Sequence, residues 1–264
     1  MQTFLDQLGR TVSLTASPQK IICLVPSLTE LLFDLGLEDE VCGITSFCAR
    51  PPHWSQQKII VGGPKTVDLD AISRISPDLV IANKEENTQM QIQALAEKYP
   101  VWISDIHTLD EALSAILQIG SLVHRQALAD ALASKIKQQF DALPRPNHRK
   151  DLRCAYLIWR KPYMAAGSGT FIHSMMSWCG MTNVFAAIPR YPIISLEQLQ
   201  SAACRILLLS SEPYPFSQKH ADALQPLLPG TRIILVDGTM FSWYGNHLLQ
   251  SPAYFDQLLQ EIQG

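Results

Sequence analysis

Aromatic and basic side chains are concentrated in the loops that follow predicted strands. The aromatic members are Trp54, Trp159, Tyr163, Tyr191, Tyr214, Phe216, Trp243 and Tyr244, and the basic members are Arg50, Lys65, Arg160 and Arg190. Aromatic rings bury a large apolar area, and guanidinium groups pair with carboxylates or phosphates. This combination predicts a binding site for a large ligand that is partly apolar and partly anionic. The alternative is that these side chains form the edge of the core and surface ion pairs.

Two further stretches are candidates for contact with a ligand. Pro26-Ser27 ends a predicted strand and opens a helix, where free backbone N–H groups can bind a phosphate or amide oxygen. Simple helix capping explains the same pair. Gly62-Gly63 resembles a phosphate-binding turn, and Gly63 is kept as a ligand candidate, although a glycine pair more often makes a plain turn.

Motifs for catalysis or for a protein-held metal are not evident. The sequence contains no GxGxxG or Walker pattern, no GxSxG elbow and no convincing nucleophile–base pair. Its six cysteines form no CxxC pair, and its seven histidines form no HxxxH pair on a helix. We therefore predict a protein that is not an enzyme, with no catalytic residues, no metal ligands and no required cofactor. Cys48 lies in a predicted binding loop, and we interpret it as having no role in metal binding.

Strand-like and helix-like runs alternate in both halves of the chain. Continuous apolar runs from Lys20 to Val25 and from Asp78 to Ala82 are typical of parallel strands that are buried on both faces. Similar runs cover Arg153 to Ile158 and Arg205 to Leu209. Such alternation predicts an α/β protein with two lobes, each holding a mostly parallel sheet flanked by helices. Ligands of open α/β sheets bind beyond the carboxyl ends of the strands, where the aromatic loops lie.

The stretch from His107 to Leu143 is the longest without proline and carries apolar residues at helical spacing. The apolar stripe changes phase at His124-Arg125, which predicts a bend or break there. A polar, proline-bearing segment, LPRPNHRKD, ends the stretch. We interpret it as one long spine helix that joins the lobes. The predicted domains are residues 1–107 (first lobe), 108–143 (spine helix) and 144–264 (second lobe).

Composition narrows the range of partners and locations. The 264-residue chain is 47% hydrophobic and 17% charged, with a net charge of -3 and no basic stripe, which disfavours nucleic-acid binding. No stretch reaches the apolar length of a membrane span. The segment after Met1 lacks the apolar core of a secretory signal, which predicts a cytoplasmic protein. The alternative is a periplasmic protein whose leader has been removed.

Several motifs together resemble one known family. They are IICLVPSLTELLFDLGL, VCGIT and GGPKTVDLDAISRISPDLVIAN in the first half, and GSGTFIHSMM and SSEPYPF in the second. In this order, with the spine helix between them, they resemble the periplasmic-binding proteins that deliver cobalamin, haem and iron-siderophore complexes to ABC importers, also called helical-backbone metal receptors. The cobalamin branch is the most similar, and the resemblance covers nearly the whole chain.

This resemblance implies two α/β lobes joined by one rigid helix, as in class III periplasmic-binding proteins, with the ligand held between the lobes. It implies a substrate-binding protein for a small-molecule metal complex, namely a corrinoid, haem or a ferric siderophore, which acts as a monomer with an ABC permease. In the cobalamin branch an acidic residue on each lobe docks onto permease arginines. By position, Glu85 or Glu86 is the candidate in the first lobe and Glu212 the candidate in the second.

Two other functions stay open on the sequence alone. A cytoplasmic location, with unpaired cysteines and scattered histidines, would also suit a chelatase-like or corrinoid-handling enzyme on the same scaffold. A cytosolic ligand sensor is the third possibility. Turnover of a tetrapyrrole with a metal ion would identify the enzyme, whereas stoichiometric binding without a product would argue against it.

Overall fold

The structure is a computed structural model that describes residues 1–143 and 152–263. The predicted linker after Leu143 lies mostly outside these ranges. The described chain divides into two compact units, each assembled from several segments. The first unit comprises Met1–Ile106, Asp110–Lys137 and Tyr244–His247, and the second comprises His107–Leu109, Gln138–Trp243 and Leu248–Gly264. The first unit thus contains most of the predicted spine segment and one short piece from near the end of the chain.

The first unit holds nine strands and the helices that connect them. The strands are β1 (Gln2–Leu5), β2 (Thr11–Leu14), β3 (Ile21–Cys23), β4 (Val41–Ile44), β5 (Ile59–Ile60), β6 (Gly62–Gly63), β7 (Thr66–Val67), β8 (Leu79–Asn83) and β9 (Val101–Ser104). The helices are α1 (Pro26–Asp34), α2 (Trp54–Gln57), α3 (Leu69–Ile75) and α4 (Gln89–Ala96).

Five strands of the first unit form one parallel sheet in the order β5-β4-β3-β8-β9. Every residue of β3, β8 and β9 is buried, as the continuous apolar runs predict for strands with helices on both faces. Helix α1 begins at Pro26, at the pair that the sequence predicts to open a helix. Proline suits the first turn because its fixed φ is helical and its missing N–H is not needed there.

The predicted spine segment forms two helices, α5 (Leu109–Leu122) and α6 (Gln126–Asp141). His124 lies between them with a left-handed φ of 57°, at the position where the apolar stripe changes phase. A Cβ atom on Gly120 would lie 2.2 Å from the Cβ of Ala129, so only glycine allows the two helices to approach this closely. Among the described residues, no helix has the length and apolarity needed to cross a membrane.

The second unit contains the remaining strands and helices. The strands are β10 (Arg153–Trp159), β11 (Met164–Ala165), β12 (Thr182–Asn183), β13 (Ile206–Ser210) and β14 (Arg232–Val236). The helices are α7 (Phe171–Trp178), α8 (Leu196–Ser201), α9 (Gln218–Leu224), α10 (Thr239–Ser242) and α11 (Ser251–Gln263). Short 3-10 helices cover Gln225–Leu227 and Asn246–Leu249. The second of these 3-10 helices begins in the Tyr244–His247 segment, which belongs to the first unit.

The sheet of the second unit has the order β11-β10-β13-β14, with β12 also beside β10. Strands β12, β13 and β14 pair in parallel with their neighbours, and only β11 runs antiparallel. The predicted fold class, α/β with mostly parallel sheets flanked by helices, is confirmed. The carboxyl ends of β10, β13 and β14 lie along one edge of this sheet, and Trp159, Tyr163, Tyr214, Phe216 and Trp243 lie at these ends or in the segments that follow them.

Candidate functional site

An accessible aromatic cluster lies at the carboxyl ends of β10 and β13 in the second unit. Trp159 is the last residue of β10 and is 40% exposed. Its ring centroid lies 5.7 Å from that of Tyr214, with the rings at 72°. Behind Tyr214 lie the rings of Phe216, at 4.8 Å, and His220, at 5.5 Å, both buried. Tyr214 is therefore held rigidly from behind, while Trp159 presents apolar surface to solvent.

Arg160 adds a positive charge beside this cluster. Hydrogen bonds to the hydroxyl groups of Tyr214 and Tyr163 raise the pKa of the Arg160 guanidinium above its ordinary value. Burial and the nearby charge of Arg160 lower the pKa of His220. The structure thus brings together four predicted site residues, Trp159, Arg160, Tyr163 and Tyr214, as an aromatic surface with a fixed cation.

Glu212 lies in the loop after β13, next to this cluster in sequence. Its Oε1 atom accepts hydrogen bonds from the Ser242 hydroxyl at 2.7 Å and from the indole N–H of Trp243 at 2.9 Å. Trp243 is only 9% exposed, so most of its ring belongs to the core. Trp243 thus supports the Glu212 loop, and its role as a ligand wall stays a prediction.

Arg190 and Tyr191 lie in an exposed loop that covers the start of α7. Arg190 has a left-handed φ of 63°, and its Nη1 donates to the carbonyl of Gly169 at 2.7 Å and lies 3.4 Å from His107 Nδ1. Its guanidinium carbon is 5.8 Å from the centroid of the Tyr191 ring. Arg190 thus helps to hold the Gly-rich turn before α7.

In the first unit, Trp54 does not match its predicted role. The side chain is fully buried in α2 and packs edge to face against Phe33, with ring centroids 5.5 Å apart. The Lys58 ammonium lies 5.0 Å from the indole centroid. The structure corrects the assignment, because the apolar ring is sealed inside the first unit and cannot touch a ligand.

Arg50 belongs to a polar cluster that the sequence did not reveal. Its Nη1 lies 3.6 Å from Glu30 Oε1 and 3.2 Å from Nδ1 of His247, and the same Nδ1 lies 3.2 Å from Glu30 Oε2. His247 is fully buried. Burial and the charge of Glu30 raise the pKa of the neighbouring Asp34 to about 6. The cluster fastens the Tyr244–His247 segment to the first unit, and nothing in the local sequence links residues almost 200 positions apart.

The remaining site candidates of the first unit are Pro26, Ser27 and Gly63. Ser27 is 3% exposed, and its hydroxyl finds no hydrogen-bond partner among the described residues, so only the half-buried Pro26 reaches the surface here. Gly63 is part of β6, which pairs with β7 as a small hairpin. The hairpin explains the glycine pair without a phosphate, because a Cβ on Gly62 would lie 2.3 Å from the carbonyl oxygen of Thr66.

The loop after β8 is fixed by Asn83. The buried Asn83 side chain accepts hydrogen bonds from the backbone N–H groups of Glu85, at 2.8 Å, and Glu86, at 3.0 Å. The exposed Lys65 donates to the carbonyl of Glu85, and the Tyr244 hydroxyl lies 3.5 Å from Glu86 Oε1. Tyr244 is 6% exposed and is a packing residue rather than a ligand wall. Both glutamates are half-buried at the surface of the first unit.

Potential metal ligands are dispersed over the described part of the chain. No group of three or more histidine, cysteine or acidic side chains is placed there to hold a metal ion. Burial raises the pKa of the Cys48 thiol, which lies 3.2 Å from the hydroxyls of Thr29 and Thr45. A protonated thiol is a poor metal ligand at neutral pH.

The sequence of this chain is similar to those of known proteins. The family model described as Periplasmic binding protein matches residues 21–226. The vitamin B12-binding protein of Pectobacterium atrosepticum is 24% identical over 257 residues, which cover 94% of this chain and 91% of that protein.

Solved structures show the same fold at low sequence identity. The periplasmic heme binding protein HutB of Vibrio cholerae superposes with a TM-score of 0.77 at 22% identity, over 91% of this chain and 98% of that one. An ABC-type Fe3+-hydroxamate transport system protein from Saccharomonospora viridis gives 0.75 at 19% identity, over 100% and 99% of the two chains.

The fold is that of an α/β protein with two compact units, each built on a mostly parallel sheet. With most of its length matched by the family model, the chain belongs to the Periplasmic binding protein family. The predicted class, a substrate-binding protein, is confirmed.

Proposed function

We propose that this protein binds a metal chelate of the tetrapyrrole class, and a corrinoid in particular, as the substrate-binding component of an ABC uptake system. The observation that carries the proposal is the surface formed by Trp159, Tyr214 and Arg160 at the strand ends of the second unit. A flat macrocycle covers an exposed aromatic ring efficiently, and its polar periphery meets the adjacent charge. The similarity to vitamin B12-binding proteins supports the choice of ligand.

Haem is the second candidate, because it is also a flat macrocycle and its carboxylates suit the positive charge of Arg160. Ferric hydroxamates are the third, since they too are metal chelates with a mixed surface, and one structural neighbour belongs to a transport system for them. The three ligands differ in peripheral charge, and their relative affinities therefore separate the candidates.

The proposal includes location and partners. Because the family is periplasmic, we place the protein outside the cytoplasmic membrane as a monomer; the comparisons support this alternative and not the cytoplasmic prediction. The ABC permease is the proposed partner, with Glu85 and Glu86 as docking residues since they lie at the surface. Cell fractionation tests the location, and charge reversal of Glu85 and Glu86 tests the docking through loss of uptake with unchanged ligand affinity.

The ligand is proposed as cargo rather than as a cofactor, and the protein is proposed to perform no chemistry on it. This is the difference from the chelatase-like enzyme and the sensor considered above, neither of which finds support among the relatives. Titration of the purified protein with cyanocobalamin, hemin and a ferric hydroxamate, followed by tryptophan fluorescence, tests the proposal. Saturable quenching at one ligand per chain by at least one of them is expected, and no response to any of them would overturn it.

A further inference from the structure

The loop that carries Glu212 is built to hold one carboxylate in a defined place. The Glu212 backbone N–H donates to Ser210 Oγ at 3.3 Å, and its carbonyl accepts from the same hydroxyl at 2.5 Å. Ser210 is itself buried and shares a 2.9 Å hydrogen bond with the hydroxyl of the buried Tyr156. The peptide bond that follows Glu212, to Pro213, is cis. The backbone of this residue is therefore anchored to the core of the second unit.

The side chain of Glu212 is also fixed. Two neutral groups, the Ser242 hydroxyl and the Trp243 indole N–H, donate hydrogen bonds to the same oxygen of Glu212, Oε1. Among residues 1–143 and 152–263, no lysine or arginine forms an ion pair with Glu212, and the residue is only half-buried. Among the described residues, the Glu212 side chain is therefore held by neutral donors alone.

Gly238 packs closely against the Glu212 side chain. A Cβ at Gly238 would lie 2.7 Å from Cγ of Glu212 and 2.3 Å from Oγ of Ser210. The backbone φ of Gly238 is -61°, an ordinary helical value, so conformational freedom is not the reason for glycine at this position. Glycine is needed at position 238 because the Glu212 side chain and the Ser210 hydroxyl occupy the space that a Cβ atom would take.

We propose that Glu212 is a specificity-determining residue that favours ligands with amide or hydroxyl donors at their periphery and disfavours ligands with carboxylates there. The inference rests on the proposed function, and it narrows the ligand class to an amidated tetrapyrrole such as a corrinoid. A preorganised carboxylate gains a charge-assisted hydrogen bond from an amide N–H, whereas it repels an acid at the same position. The permease-docking role suggested for Glu212 by the family resemblance stays a separate prediction.

A purely structural role is the competing explanation, since Glu212 also ties the loop after β13 to α10. Two variants separate the explanations. Glu212→Gln removes the charge and keeps an oxygen that can accept from Ser242 and Trp243. Ser242→Ala removes one of the internal hydrogen bonds and keeps the charge. A selectivity role predicts that only Glu212→Gln changes ligand preference, and a structural role predicts that both variants change the affinity for every ligand in the same proportion.

The test uses ligands that differ by one group, cyanocobalamin and its monocarboxylic acids, in each of which one peripheral amide is hydrolysed. For the wild-type protein, we expect at least one of these acids to bind tenfold or more weakly than cyanocobalamin. In Glu212→Gln this ratio should fall below about twofold, and in Ser242→Ala it should persist. Equal affinity of the wild-type protein for cyanocobalamin and all of the acids would overturn the inference, and this comparison needs no variant to fold.

The two proposals fail in different ways in this experiment. Cyanocobalamin bound tightly without discrimination against any acid would refute the role of Glu212 and leave the proposed function in place. No binding of cyanocobalamin or of any acid would refute the corrinoid proposal and the role of Glu212 with it. An unchanged ratio in Glu212→Gln, with a melting temperature close to that of the wild type, would assign the discrimination to another residue.

Discussion

Removing the indole of Trp159 should weaken the binding of a tetrapyrrole by about 8- to 60-fold. About 40% of this residue is exposed, which for a large aromatic side chain of about 250 Å² leaves roughly 100 Å² for contact with a ligand. At about 25 cal/mol per Å², complete coverage is worth about 2.5 kcal/mol. Since about 1.4 kcal/mol corresponds to tenfold in affinity, full coverage gives roughly 60-fold and half coverage about 8-fold.

The assay is a fluorescence or calorimetric titration of Trp159→Ala with cyanocobalamin, beside two other variants. Leu227→Ala is the matched control, because Leu227 is 53% exposed and lies before β14, at the opposite end of the strands. Trp243→Ala should instead lower the melting temperature, since that indole is 91% buried and bonded to Glu212. Affinities of Trp159→Ala and Leu227→Ala that both stay within twofold of the wild type would refute the placement of the ligand on this surface.

Three further predictions concern stability, each measured as the free energy of unfolding in urea. The pKa of Asp34 is raised to about 6, so between pH 4 and 6 the folded state binds more protons than the unfolded state. Asp34 therefore lowers the stability of the protein as the pH rises through this range. Asp34→Asn should be more stable than the wild type by about 1 kcal/mol at pH 7, after allowance for solvent exposure, and equal to it at pH 4. A pH-independent difference would contradict this. Gly167→Ala should cost about 1–3 kcal/mol, because its Cβ would lie 2.0 Å from the carbonyl of Ile188, whereas Gly230→Ala, with no neighbour within 4 Å, should change little. Asp68→Ala should cost about 1 kcal/mol, because the Asp68 side chain caps α3 with two hydrogen bonds, and Asp68→Asn should recover most of that loss.

Local patterns predicted much of the fold. The apolar runs at Ile21–Cys23 and Leu79–Asn83 became central parallel strands, because a strand with helices on both faces must be apolar on both faces. Ser195 and Gln198 form a capping box at the start of α8, a pattern of residues that lie close together in the sequence. The change of apolar phase near His124 marked the gap between α5 and α6. In each case the signal lies within a few residues of the structure that it specifies.

The candidate site was predicted less completely, since its contacts join distant parts of the chain. Trp159 and Tyr214 were predicted for one surface because both follow strands of one parallel sheet, and their rings do lie in contact. Trp54 also lies in a loop near a strand, but its ring is covered by Phe33, and no local pattern distinguishes an aromatic residue that faces inwards from one that faces outwards. The contact of Glu30 with His247 depends on how a late segment returns to the first unit, which periodicity does not encode.

The most direct test of the central claim is equilibrium dialysis of the purified protein against cyanocobalamin, with the retained ligand recovered and its absorption spectrum recorded. The account predicts saturable retention of one corrinoid per chain at micromolar or lower concentration, and a recovered ligand identical to the one supplied. Absence of retention would contradict the proposed ligand class, and a chemically altered corrinoid would contradict the assignment of a binding protein that performs no chemistry.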